Sequence, residues 1–175
     1  RLYRVVPDDP SWVRRTSVAL DRAATADLVA LLSHPNGWHR DTAGRLLYER
    51  QDAAAVEPLR ALLRRSGVTP VARAHALAAL EGLQALDDAS VVAALRDLDA
   101  GVRERALTAV LRQARVRTVP ASPVRLAPDV AAAVAGCTSD AHPRVRFHAY
   151  LATHYLEPAL RVRLMSSQAR VDAAD

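Results

Sequence analysis

Apolar and polar positions follow a helical period along this chain, and the pattern repeats. Four segments align without gaps around an Arg-x-x-Ala core: WHRDTAGRLL with Arg40 and Ala43, VARAHALAAL with Arg73 and Ala76, VRERALTAVL with Arg103 and Ala106, and VRFHAYLATH with Arg146 and Ala149. Buried positions are expected at i, i+4, i+7 and i+8, one stripe of an α-helix. In the third segment they are Val102, Ala106, Ala109 and Val110, and in the second Ala72, Ala76, Ala79 and Leu80. The first departs with polar His39 at the leading position, and the last with Thr153 at the end of the stripe. The small residue at the second position lets a neighbouring helix come close. A second apolar helix precedes each segment, marked in turn by Leu28, Leu31 and Leu32, by Leu59, Leu62 and Leu63, by Val91, Val92 and Leu95, and by Val130 and Val134.

The punctuation between these runs agrees. Asn36 can cap the helix through Trp38, Thr69-Pro70 reads as a cap followed by proline at the first helical position, and Asp99 can cap the helix through Val102. Pro143 opens the last segment, and Pro58 falls in the first turn of a helix starting near Ala54 or Ala55, where its missing N–H costs nothing. The expected fold is all-α: an α-solenoid of about four to five antiparallel helix pairs, each burying its apolar face on its neighbours. It spans residues 25–175. The third arginine spacing is longer because of an insertion at 116–128, where Pro120, Pro123 and Pro128 forbid continuous helix. Residues 1–24 form an N-terminal extension outside the repeat. There Leu2–Val6 reads as a short strand ended by Pro7-Asp8-Asp9-Pro10. A lone strand without a partner, and an opening on Arg1, suggest a piece of something larger.

Composition narrows the class. Half of the 175 residues are hydrophobic but only 4% are aromatic. Small side chains at that density suit close-packed helices better than a sheet. No apolar run reaches the roughly 18 residues of a membrane span. The single cysteine, Cys137, rules out an intrachain disulfide framework and a thiolate zinc site built from this chain alone. The net charge is +5, and every basic residue is arginine. A nucleic-acid or acidic-partner surface would explain that, as would the arginine-for-lysine bias of a GC-rich genome. Acidic residues are dispersed among the arginines, which favours the second explanation.

Candidate chemistry is sparse. His34, Trp38 and His39 crowd one inter-helix turn and the helix after it, and form a possible contact surface, because Trp and Arg are favoured at binding hot spots. The plainer alternative has Trp38 plugging the open end of the first repeat while His34 and Asn36 satisfy the turn. Arg40, Arg73, Arg103 and Arg146 form a ladder at one register, which a nearest-neighbour array needs at every interface; a phosphate-binding ladder is the sharper alternative. His75 and His148 share a register, as a structural column does, and His148 and His154 are wrongly spaced to ligate from one helix face. No metal or cofactor is expected. Cys137 reads as a loop residue after Gly136 with no paired base, and no phosphate loop, nucleophile elbow or zinc-protease helix occurs.

The Arg-x-x-Ala helices, with turns such as Asp97-Leu98-Asp99-Ala100-Gly101 and Asp140-Ala141-His142-Pro143, resemble HEAT repeats from about Asp27 to Tyr155. In that family such arginines bond turn carboxylates or carbonyls of a neighbouring repeat, and Asp97, Asp99 and Asp140 are placed for it. Leu28 to Arg50, ALRDLDAGVRERAL and DAHPRVRFHAYLA look more narrowly like the helical segment of secreted bacterial membrane-bound dehydrogenase-like, heme-binding proteins. There a β-propeller precedes the helices and a cytochrome c module with CxxCH follows. Cys137 precedes Thr138-Ser139-Asp140 and so forms no such motif. The resemblance implies a periplasmic or secreted setting and a non-catalytic scaffold or interdomain module, with neighbouring domains or another protein as partner. Nucleic-acid binding along an arginine-lined concave face is the competing reading, and a heme-binding electron-transfer fragment the third.

Overall fold

A computed structural model describes residues 8, 19–117 and 125–172. The strand expected over Leu2–Val6 lies outside these residues, as do most of the N-terminal extension and the middle of the insertion. Among the described residues there are nine α-helices and no strand. They are α1 (Thr25–Leu31), α2 (Gly37–Arg50), α3 (Val56–Arg64), α4 (Pro70–Gly82), α5 (Asp88–Leu95), α6 (Ala100–Arg117), α7 (Pro128–Cys137), α8 (Pro143–Ala152) and α9 (Pro158–Asp172).

Short side chains set the helix starts. The Asn36 carboxamide oxygen accepts from the Trp38 amide at 3.0 Å, and the Thr69 hydroxyl accepts from Ala72 at 3.3 Å. Asp87 caps α5 through the Ser90 amide at 2.8 Å, and Asp99 caps α6 through Gly101 and Val102 at 2.9 and 3.2 Å. Each satisfies a donor that the first helical turn leaves open. Pro70, Pro128 and Pro143 each open a helix, where the missing N–H is harmless. Pro58 is the third residue of α3, reached through a 3-10 turn at Ala53–Ala55.

The helices pack in a regular order. Each even-numbered helix from α2 to α8 lies against the odd-numbered helix before it, and α2 contacts α4, α4 contacts α6, and α6 contacts α8. The odd helices α1, α3, α5 and α7 meet one another in the same sequence. The four matching alanines, Ala43, Ala76, Ala106 and Ala149, have no exposed surface. Leucines fill the space beside them, with Leu47, Leu77, Leu80 and Leu107 almost fully buried. Alanine at the tightest approach and leucine at its edges give the close packing that a folded core needs.

Two expectations are corrected. α6 continues through Val116 and Arg117, so the insertion begins later than the proline count implied, and Pro128 starts α7 instead of interrupting helix. Cys137 is the last residue of α7, not part of a loop. A ninth helix, α9, follows α8 and takes part in none of the principal helix–helix contacts. The far end of the insertion is tied down: the Leu126 amide donates to the Tyr155 carbonyl at 3.2 Å, and Arg125 donates to Leu156 O. At the other end Arg50 donates to the carbonyls of Ala23 and Asp21 at 2.6 and 2.7 Å, fixing the 3-10 turn Leu20–Arg22 on α2.

Candidate protein-interaction face

The four arginines of the repeat core sit one turn into α2, α4, α6 and α8 and reach back to the turn before their own helix. Arg40 donates to His34 O and Pro35 O at 2.7 and 2.8 Å, Arg103 to Asp97 O and Leu98 O at 2.7 and 3.0 Å, and Arg146 to Asp140 O and Ala141 O at 2.8 and 3.0 Å. Arg73 donates to Val68 O. Two of them also reach forward. Arg73 grips the Asp97 carboxylate through Nε and Nη2 at 2.7 and 2.8 Å, and Arg103 grips Asp140 with the same two distances. These are bidentate, charge-assisted pairs, the strongest kind of side-chain hydrogen bond.

Each aspartate is held in turn by its own backbone. Asp97 accepts from the Asp99 amide and Asp140 from the His142 amide, both at 2.8 Å. Burial pushes the Asp97 carboxyl up, but the Arg73 fork and the Asp99 amide outweigh it and hold the group below the usual carboxylate range. Asp99, expected as a third arginine partner, spends its carboxylate on the α6 cap instead. It is too close to the helix start to turn outward.

The gripped aspartate lies six residues before its repeat's own arginine. The corresponding residue in the first turn is His34, whose Nδ1 accepts from the Asn36 amide at 3.0 Å, as the aspartates do in theirs. In the second turn it is Gly67, at φ +76°, with open space where a side chain would start. Arg40 therefore meets no carboxylate from the next turn, and its Nε is buried without a hydrogen-bond partner. Gly67→Asp should supply the missing acid. The left-handed backbone costs a non-glycine residue about 1 kcal/mol, whereas hydrogen bonds to a charged group contribute about 1.5–3 kcal/mol. Urea titration is expected to place Gly67→Asp above Gly67→Asn, which carries the same backbone cost without the charge. Equal midpoints would mean that Arg40 does not reach this position.

Around His34 the rings are stacked: His34 and His39 have centroids 4.1 Å apart, and Trp38 meets His39 edge-on at 5.1 Å. Trp38 does not plug the end of the first helix pair. It is 56% exposed. His39 Nδ1 is buried without a partner, so the departure from the apolar stripe leaves a polar atom unsatisfied.

Trp38 begins a wider surface. Polar contacts join the even helices along the side away from the odd ones, as ion pairs between α4, α6 and α8 and as a neutral contact between α2 and α4. Asp41 on α2 faces His75 on α4 at 3.9 Å, Glu81 on α4 holds Arg105 and Arg112 on α6 at 2.8 and 3.5 Å, and Glu104 on α6 holds Arg144 on α8 at 2.8 Å. Burial lowers the His75 pKa, so at neutral pH its contact with Asp41 is made by the uncharged ring. Exposed apolar side chains interrupt this polar lattice: Trp38 and Tyr48 on α2, Val71 on α4, and Phe147 and Leu151 on α8. The exposed Tyr48 ring lies over Gly82, where an added Cβ would meet it at 3.0 Å and require the ring to give by a few tenths of an ångström. An open cleft of about 400 Å³ between Glu81, Gln84, Leu86, Arg112, Gln113 and Val116 lies at the C-terminal ends of α4 and α6.

The Arg-x-x-Ala motif marks the other edge of these helices, and Tyr48, Phe147 and Leu151 lie outside it. A signal was present, since Arg144, Phe147, His148 and Leu151 follow i, i+3, i+4 and i+7 on α8, off the Ala149 stripe.

Among the described residues no group of three or more His, Cys, Asp or Glu could hold a metal ion. His148 Nδ1 contacts Arg144 O at 2.8 Å, while His154 is exposed. Cys137 is buried, with its sulfur 3.6 Å from Leu95 O, and burial pushes its thiol up, with Asp140 adding to the effect. That is the opposite of an activated nucleophile. No described helix is long and apolar enough to cross a membrane. Comparison with family models, curated proteins and solved structures finds no match to this chain.

Proposed function

We propose that this chain is a HEAT-like α-solenoid module that performs no chemistry of its own and binds a protein along the face of α2, α4, α6 and α8. The observation that carries the reading is the combination on that face of exposed aromatic and aliphatic side chains with an ordered lattice of ion pairs. Large apolar groups left in water at the surface of a well-packed domain mark contact sites. The lattice gives them a rigid setting, which lowers the ordering cost of binding. The stacking of even helices on even and odd on odd supports the solenoid, as does the recurrence of the Arg73 fork at Arg103. In this reading the arginine ladder is structural, because its forks are used within the fold.

Nucleic acid is the weaker occupant. Glu81 and Glu104 already engage three of its arginines, and a phosphate backbone has no apolar side chains with which to cover Trp38, Tyr48 or Phe147. Random-peptide display against the chain tests the reading. It should select peptides whose binding falls when Trp38 or Phe147 is replaced by alanine, with melting unchanged. A selection that yields no binder, or only binders indifferent to both substitutions, overturns it.

A further inference from the structure

The α6–α8 end of the face differs from the rest in how its charges are placed. Glu81 and Glu104 are largely withdrawn, with side chains 15% and 19% exposed, whereas Arg112 and Arg144, which they hold, are 59% and 72% exposed. The carboxylates lie underneath and the guanidinium groups outside, so the surface presents positive charge although the pairs are formally neutral. Arg115, on the stripe that runs from Glu104 through Thr108 and Leu111, is exposed and adds a further cation. Arg144 shares a face of α8 with the exposed Phe147 and Leu151, which lie one helical turn apart, while Arg112 and Arg115 stand on the neighbouring α6.

We propose that this end binds an acidic amphipathic helix of a partner protein, its apolar side chains covering Phe147 and Leu151 and its carboxylates meeting Arg112, Arg115 and Arg144. The inference rests on the interaction reading above and names the partner's chemistry. Planar guanidinium groups on flexible stems suit carboxylates, and the apolar pair one turn apart matches residues spaced i and i+4 on an incoming helix. A phosphate chain would use the arginines and leave Phe147 and Leu151 in water, which favours the peptide.

The test uses two synthetic helical peptides with leucine at i, i+3, i+4 and i+7, one carrying glutamate at the remaining positions and the other lysine. Fluorescence anisotropy on the whole chain is expected to show binding of the glutamate peptide, weaker at higher ionic strength, and none of the lysine peptide. Phe147→Ala and Arg115→Glu should each weaken the glutamate peptide about tenfold or more with melting unchanged. Among the described residues Arg115 forms no ion pair, and Phe147 is 60% exposed with only an edge contact to its neighbour His148 at 5.4 Å. Equal binding of the two peptides, no binding of either, or insensitivity to both substitutions overturns the inference. So does tighter binding of single-stranded DNA than of the glutamate peptide. Display-selected binders that are neutral or basic would sink the acidic partner while leaving the interaction reading intact.

Discussion

Arg103→Ala is expected to lower the stability of the folded chain by about 3 kcal/mol, since breaking one side of a buried, hydrogen-bonded charge pair costs about 3–5 kcal/mol and this pair is slightly less enclosed. Four hydrogen bonds go at once: two to the carbonyls of Asp97 and Leu98 and two to the Asp140 carboxylate. The Arg103 and Asp140 side chains are only 16% and 11% exposed, so water does not readily replace the guanidinium. Acid should narrow the difference. Asp140 is held below the usual carboxylate range chiefly by the Arg103 fork, with burial opposing and the His142 amide assisting. A carboxyl depressed in the folded state contributes stability above its unfolded value of about 3.9 and loses it as pH falls through the folded value. Denaturant midpoints of wild type and variant should therefore converge as Asp140 is protonated in both. A variant that melts like the wild type at neutral pH would remove the structural role assigned to the ladder.

Ala106→Leu should be comparably damaging for the opposite reason. Ala106 has no exposed surface and sits in α6, which is packed on α4 at one side and α8 at the other. A leucine there adds three carbons where the helices approach most closely. Overpacking of this kind costs roughly 1–3 kcal/mol, with the upper end expected where two interfaces must give way together. Ala78, on the half-buried outer side of α4, is the control: Ala78→Leu should melt within about 0.5 kcal/mol of the wild type. Equal effects at the two sites would mean that the alanine register does not mark the tight contact.

The helix starts were legible because each depends on one local bond, from Asn36, Thr69 or Asp99 to an amide two or three residues on. The alanine register was legible because a repeated packing problem receives a repeated answer. Side-chain exposure was not. Trp38 stands two residues after its cap, and nothing in that spacing reveals that its ring is exposed. The division of labour between the aspartates was half visible: Asp97 and Asp140 meet their arginines, while Asp99, equally acidic and two residues away, turns to its own helix. The outer face lay hidden because its ion pairs join residues 24 to 40 positions apart, such as Arg105 with Glu81 and Arg144 with Glu104. Only the stacking of the even helices brings those registers together. α9 was unreadable for a related reason: Leu160 and Leu164 stand at helical spacing, but the Arg-x-x-Ala core that marks the other pairs does not recur beside them.

The glycine at position 67 makes the array mechanically uneven. Between the second and third helix pairs, and again between the third and fourth, a charged clamp must be released before the units separate; among the described residues no such clamp joins the first and second pairs, and Arg40 holds its own turn. A linear array is as strong as its interfaces taken one at a time, so opening begins where the coupling is least. Opening is therefore expected first at the α1–α2 pair, which is joined to α4 by the Gln51 hydrogen bond to Gly82 O and the Tyr48 ring rather than by a charged fork. Trp38 rides on that loosely coupled unit and Phe147 on a clamped one, so a protein that touches both would fasten the first pair to the rest as it binds.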